Sequence, residues 1–178
     1  MRASGAGREL ALLRWGLVPP WARELGGAPL INAKAETAAE KPAFRAAFAR
    51  RRCLIPADGF YEWATAAGKK QPIHFRLRQG GPFAFAGLWE RWQPPGGPAV
   101  ESCAILTTEA NELVRPVQQR MPAILDPAAY DAWLDPGLDG KGLSAWLRPL
   151  PAELLVAVPV SPRVNSPRNE GPECLLPA

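Results

Sequence analysis

Apolar and polar positions alternate most clearly at Ile73, Phe75 and Leu77 against His74, Arg76 and Arg78. This two-residue period predicts a half-buried strand and sends His74 to the polar face. Shorter apolar runs at Cys53-Leu-Ile55 and Phe60-Tyr-Glu-Trp63 read as strands joined by a Pro-Ala-Asp-Gly turn. Phe83 to Trp89, Cys103 to Thr107 and Leu154 to Val160 extend the series, and Glu9 to Val18 reads as a first strand ended by Pro19-Pro20. One helical signal stands out: Thr37-Ala-Ala-Glu40 has the form of a capping box, and Phe44 and Phe48 fall four apart, predicting a helix over about 38–50. Helical turns are expected near 109–115, 127–134 and 142–147, followed after the last strand by a tail rich in Pro, Asn and Arg. Runs of strands with scattered short helices, and no repeat or linker, point to an α+β single domain over residues 1–178. Its expected form is a curved, mainly antiparallel sheet or open barrel with peripheral helices.

Composition narrows this picture. A chain of 178 residues with 47% hydrophobic content suits one folded domain with a substantial core, and 21 Pro and 16 Gly imply many turns. No apolar run approaches the ~20 residues that cross a bilayer. Met1 to Gly7 lacks the apolar stretch of a signal peptide. A cytoplasmic protein without a membrane partner is expected. Cys53, Cys103 and Cys174 are odd in number and unclustered, which favours reduced, buried thiols over disulfides or zinc, and no metal or cofactor is expected.

Charge is uneven. Residues 1–70 hold 12 Lys+Arg against 6 Asp+Glu, while the rest hold 9 against 11. The surplus gathers around Arg50-Arg51-Arg52, a pattern that attracts phosphates when exposed and otherwise marks a solvated helix end.

Six motifs follow in order: Trp15-Gly-Leu-Val-Pro-Pro-Trp21, Ile31-Asn-Ala-Lys-Ala-Glu-Thr37, Arg52-Cys-Leu-Ile-Pro-Ala-Asp-Gly-Phe-Tyr-Glu-Trp63, Ala86-Gly-Leu-Trp89, Ile105-Leu-Thr-Thr108 and Arg120-Met-Pro122. In this order they resemble the SRAP domain, the SOS response-associated peptidase family that includes abasic-site processing proteins. The resemblance implies a DNA-repair protein of the SOS response that acts, as a monomer, on abasic sites in single-stranded DNA. It implies hydrolase, protease and lyase-type labels, and a nucleoid location when bound to DNA. In the family an N-terminal cysteine traps the ring-opened sugar through its amine and thiol, giving a thiazolidine DNA–protein crosslink. By motif, Asn32 would position the opened sugar and Glu62 would handle protons.

The chain departs from the family pattern twice. Arg2 follows Met1 where the family has the cysteine, and the spacing to Asn32 leads us to expect that about forty N-terminal residues are missing. Gln118 stands where the family typically has His. Glutamine donates and accepts hydrogen bonds but cannot carry a proton near neutral pH. Catalytic candidates are therefore Asn32, Glu62 and Gln118. DNA-contact candidates are the cations Arg14, Lys34, Arg50, Arg51, Arg52 and Arg120, with Trp15, Trp21 and Trp63 as stacking surfaces. Trp89, Trp92, Trp133 and Trp146 are expected to pack in the core. The alternative reading is a non-catalytic module that binds single-stranded or junction DNA reversibly.

Overall fold

A computed structural model of the protein describes residues 1–5, 7–66, 68–138 and 140–178. Along the chain the strands are β1 (Arg2–Ser4), β2 (Gly7–Glu9), β3 (Arg14–Trp15) and β4 (Asn32–Lys34), then helices α1 (Ala35–Ala38) and α2 (Arg45–Arg50). There follow β5 (Arg52–Ala57), β6 (Phe60–Ala66), β7 (Lys69–Leu77), β8 (Phe83–Trp92), β9 (Val100–Glu109), β10 (Arg120–Pro122) and β11 (Ile124–Leu125). Helices α3 (Tyr130–Leu134) and α4 (Gly140–Leu143) precede the last strand, β12 (Leu155–Pro159). The class is α+β, with mainly antiparallel strands and short helices, as the alternation predicts. The residues group into two compact units, one of Met1–Pro56, Ala84–Thr108 and Pro122–Arg148, the other of Ala57–Phe83, Glu109–Met121 and Pro149–Ala178.

In the first unit the strand order is β9-β8-β5-β1-β2, with β11 antiparallel to β8. Both β3 and β4 run parallel to β9, in register at Trp15↔Cys103 and Asn32↔Ile105. The core beneath is built from Phe44, Phe48, Leu54, Leu88, Leu106 and Trp133, with alanines at the close approaches. Phe48 meets Trp133 edge to face at 6.1 Å between ring centroids, one of the two favoured aromatic geometries.

The second unit carries the sheet β12-β7-β6, antiparallel throughout. Phe60 stacks on Phe75 at 5.1 Å across the β6–β7 hairpin. Among the described residues no helix is long and apolar enough to cross a membrane.

Four expectations are corrected. The strand expected over Glu9 to Val18 is two short pieces, β2 and β3, and Leu12 between them is fully exposed at 103%. Hydropathy made these residues look like strand, but a strand needs ladder partners for its backbone groups. The helix expected over 38–50 is broken into α1 and α2, with turns between them where Pro42 lacks an N–H and its ring obstructs the preceding turn. Thr37 sits inside α1 and caps nothing, its hydroxyl buried without a hydrogen bond. Trp146, expected in the core, is exposed, whereas Trp92 and Trp133 are buried.

His74 is the fourth. It is 6% exposed because its supposed polar face is covered. The Tyr61 ring lies 4.9 Å away, and a Cβ at Gly59 would stand 1.9 Å from the imidazole Nε2, so only glycine fits in that turn. Burial lowers the His74 pKa below the ordinary histidine value; Asp58 opposes this and Arg76 reinforces it. The folded state therefore holds His74 neutral, while the unfolded chain takes up the proton near pH 6.5. Unfolding free energy, measured by urea titration, is expected to fall as pH drops from about 6.5 towards 5, and His74→Phe should flatten that slope.

Candidate functional site

In the first unit the sequence positions one set of candidates by strand alternation. Pairing of β4 with β9 buries Ala33 and turns Asn32 and Lys34 outward on either side of it. Strand β3 lies along the same edge of β9 and exposes Arg14 and Trp15. Gly16, at φ 115°, lets the chain turn away from β3 at a point where a Cβ would stand 3.2 Å from Pro29 Cβ. The Trp15 indole donates its N–H to the Ile31 carbonyl at 2.9 Å, so the edge of the ring is held while 57% of the residue stays exposed.

The loop between β3 and β4 encloses a cleft of about 330 Å³ lined by Arg14, Leu17, Trp21, Leu25 and Pro29 among others. Trp21 stands 65% exposed at this cleft. The loop is pinned from beneath by Trp92 Nε1, which donates to the Ala22 carbonyl at 2.6 Å, and by the Val18 N–H, which donates to Ser102 Oγ at 2.9 Å. Arg14, Trp15, Trp21, Asn32 and Lys34 thus share two strands and one loop on the β9 edge.

The Arg50-Arg51-Arg52 run divides three ways. Arg52 is withdrawn from the DNA-contact set: it is 3% exposed, and its guanidinium donates to the carbonyls of Phe48 (2.8 Å), Ala49 (2.7 Å), Trp133 (2.7 Å) and Asp135. The open carbonyls at the end of α2 and the chain leaving α3 converge there, and a guanidinium is the side chain with enough fixed donors to satisfy them. Arg51 Nη2 meets the buried Glu90 carboxylate at 2.6 Å, so most of its charge is answered within the unit. Arg50 remains exposed at the end of α2, where a cation also complements the helix dipole.

The second unit holds Glu62, Trp63, Gln118 and Arg120. On β6, alternation puts Glu62 on one face and Tyr61 and Trp63 on the other. Glu62 is half-buried and hydrogen-bonded to Gln118. The Gln119 N–H donates to Gln118 Oε1 at 2.8 Å, which leaves the Gln118 amide N–H₂ to face the carboxylate. Burial raises the Glu62 pKa above the ordinary glutamate value, and the Gln118 hydrogen bond pulls it partly back. A carboxyl raised in this way is suited to giving and taking a proton nearer neutral pH. Arg120 opens β10, half-buried.

The remaining reactive groups are sequestered. All three cysteines are buried, and burial pushes the Cys53 thiol up to about 12 and Cys103 upward too, so neither is a ready thiolate. Among the described residues no His/Cys/Asp/Glu cluster is arranged to hold a metal ion. Sequence reasoning missed two groups that act on site residues: the Gln119 N–H that orients Gln118, and Asn165, whose Oδ1 accepts the Trp63 indole N–H at 2.7 Å. The first was implicit in adjacency. The second lies 102 residues away and had no signal in spacing.

Two outcomes follow from these contacts. Arg52→Lys should cost about 2 kcal/mol or more in denaturant unfolding, because a single ammonium cannot serve carbonyls on two helices and leaves buried acceptors unpaired. Gln118→Ala should raise the Glu62 pKa further, since burial then acts unopposed, as followed by carboxyl ¹³C titration.

Comparison with known proteins gives the family. Residues 1–167 match the family described as SOS response associated peptidase (SRAP). The chain is 45% identical over 174 residues to abasic site processing protein YoqW of Bacillus subtilis, spanning 96% of this chain and 78% of that protein. It is 35% identical over 201 residues to abasic site processing protein HMCES of Gallus gallus, spanning 98% of this chain and 59% of that one. Among solved structures, a protein from Bacteroides thetaiotaomicron superposes with a TM-score of 0.84 at 29% identity, covering 93% of this chain and 75% of that one. A protein from Bordetella bronchiseptica gives 0.81 at 36% identity, covering 90% and 81%. The chain belongs to the SRAP family.

Proposed function

We propose that this protein binds single-stranded DNA at abasic sites, and that Glu62 moves the protons that open the abasic sugar. The observation that carries the reading is Glu62, a half-buried carboxyl whose pKa is raised by burial and which hydrogen-bonds the exposed Gln118 side chain. An abasic deoxyribose rests mainly as a ring-closed hemiacetal. Opening it removes a proton from the C1 hydroxyl and delivers one to the ring oxygen, leaving an aldehyde. A positioned carboxyl does both when its pKa lies towards the working pH. Gln118 hydrogen-bonds that carboxyl and takes no proton itself. Asn32 supplies an exposed amide able to hydrogen-bond a sugar, and Lys34, Arg14 and Arg50 supply exposed cations for phosphates. Trp15, Trp21 and Trp63 offer stacking faces. Support comes from the family and from relatives named for abasic-site processing.

Capture of the aldehyde as a thiazolidine, the step implied by the family resemblance, joins an N-terminal amine and the adjacent cysteine thiol to the aldehyde carbon with loss of one water. Gln118 in place of a titratable histidine favours a second reading, reversible binding without chemistry.

Electrophoresis with uracil-excised single-stranded oligonucleotide separates the two. Under the first reading the protein shifts the oligonucleotide in native gels in a salt-sensitive way and speeds its reaction with a hydroxylamine aldehyde probe. Glu62→Gln should keep the shift and slow the probe reaction by about 100-fold, the low end for a proton-transfer residue. A native shift with no acceleration by the wild-type protein supports binding alone, and no shift at low salt overturns both.

A further inference from the structure

We infer that Asn165 is a positioning residue for Trp63, holding the indole as a preset stacking platform for a nucleic-acid base; this rests on the DNA-binding reading. Trp63 is 38% exposed, yet its Nε1–H is satisfied within the protein by Asn165 Oδ1 at 2.7 Å. An indole N–H at an exposed site finds water readily, so this bond gains little for folding. What it does is limit the rotational freedom of the ring while the residue stays exposed, which cuts the ordering cost of stacking a base.

The acceptor is itself fixed. Asn165 ends a 3-10 turn, Pro162–Asn165, whose start is capped by Ser161 Oγ accepting from the Arg163 N–H at 3.3 Å. The Arg163 carbonyl closes the loop by accepting from Asn169 Nδ2 at 2.7 Å and from the Ser166 N–H at 3.2 Å. On the other side the turn is tied to β7. The Val160 N–H donates to the Pro72 carbonyl at 3.1 Å, and Gln71 Nε2 donates to the Val160 carbonyl at 2.9 Å. Pro72 is the register partner of Trp63 on the β6–β7 hairpin, so the same hairpin positions donor and acceptor. The tail that sequence patterning left without a role therefore carries a braced acceptor aimed at an aromatic on the Glu62 strand.

The test is a double-mutant cycle on binding of a short single-stranded oligothymidylate, read by fluorescence anisotropy. Asn165→Ala is expected to weaken binding roughly threefold to tenfold in the wild-type background and to have no effect in Trp63→Phe, which lacks the indole N–H. The Trp63 indole resonance in ¹H–¹⁵N spectra should shift in Asn165→Ala. It should hold its place in Asn165→Asp, which keeps the acceptor oxygen and serves if the alanine variant does not fold. Equal weakening in both backgrounds, or an indole resonance unmoved in Asn165→Ala, overturns the proposal. So does Asn165→Ala binding like wild type while Trp63→Ala binds weakly, and that result leaves the DNA reading standing. Wild-type protein that fails to bind the oligothymidylate at all removes both.

Discussion

The buried guanidinium of Arg52 ties α2 and the end of α3 to the start of β5 in the first unit. It gathers carbonyls from the end of α2 and from the chain around α3 into one planar donor group, next to the Phe48–Trp133 contact that fills the core below. A charged group this deep is tolerated only because its N–H groups are matched to carbonyl dipoles. Strand β5 begins at Arg52, and its neighbours β8 and β1 are laid down from there. The positions of β9, and of the β3 and β4 segments on its edge, depend on that stack of strands.

The same anchor changes how the basic surface is read. Three consecutive arginines in sequence look like one patch, yet one serves as a core ligand for carbonyls, one answers a buried glutamate, and one faces water. The outward charge of the first unit is carried by Arg50 together with residues far from it in sequence, among them Arg14 and Lys34. Electrostatic attraction of a polyanion depends on which charges remain exposed, so the sequence surplus overstates the field near α2.

Two exposed tryptophans share one device. Trp15 gives its indole N–H to the Ile31 carbonyl and Trp63 gives its own to Asn165, so each ring has a fastened N–H while the residue stays exposed. Glu62 is treated likewise: its Gln118 partner is oriented through the Gln119 N–H before it meets the carboxylate. In each case the group left available to a ligand is fixed by a hydrogen bond to a group that stays behind, which is what preorganisation requires.

Local pattern was enough to read the strands at 60–63, 73–77, 83–89 and 103–107, which lie within β6, β7, β8 and β9, because a period of two states which side chains share a face. The six ordered motifs likewise carried the family. Pattern failed where a partner distant in sequence decides the outcome. Alternation assigned His74 to a polar face, but the Tyr61 ring and the Gly59 turn lie against it; hydropathy drew a strand across Leu10 and Leu12, which stand exposed between β2 and β3; the capping signature at Thr37 falls inside α1. What the sequence by itself determined, then, is the run of elements and the chemical types at the candidate site, since both follow from neighbours along the chain. Tertiary structure alone decided which arginine is buried, which carboxyl is desolvated and which indole is held, because burial and hydrogen-bond partners come from residues that only folding brings together.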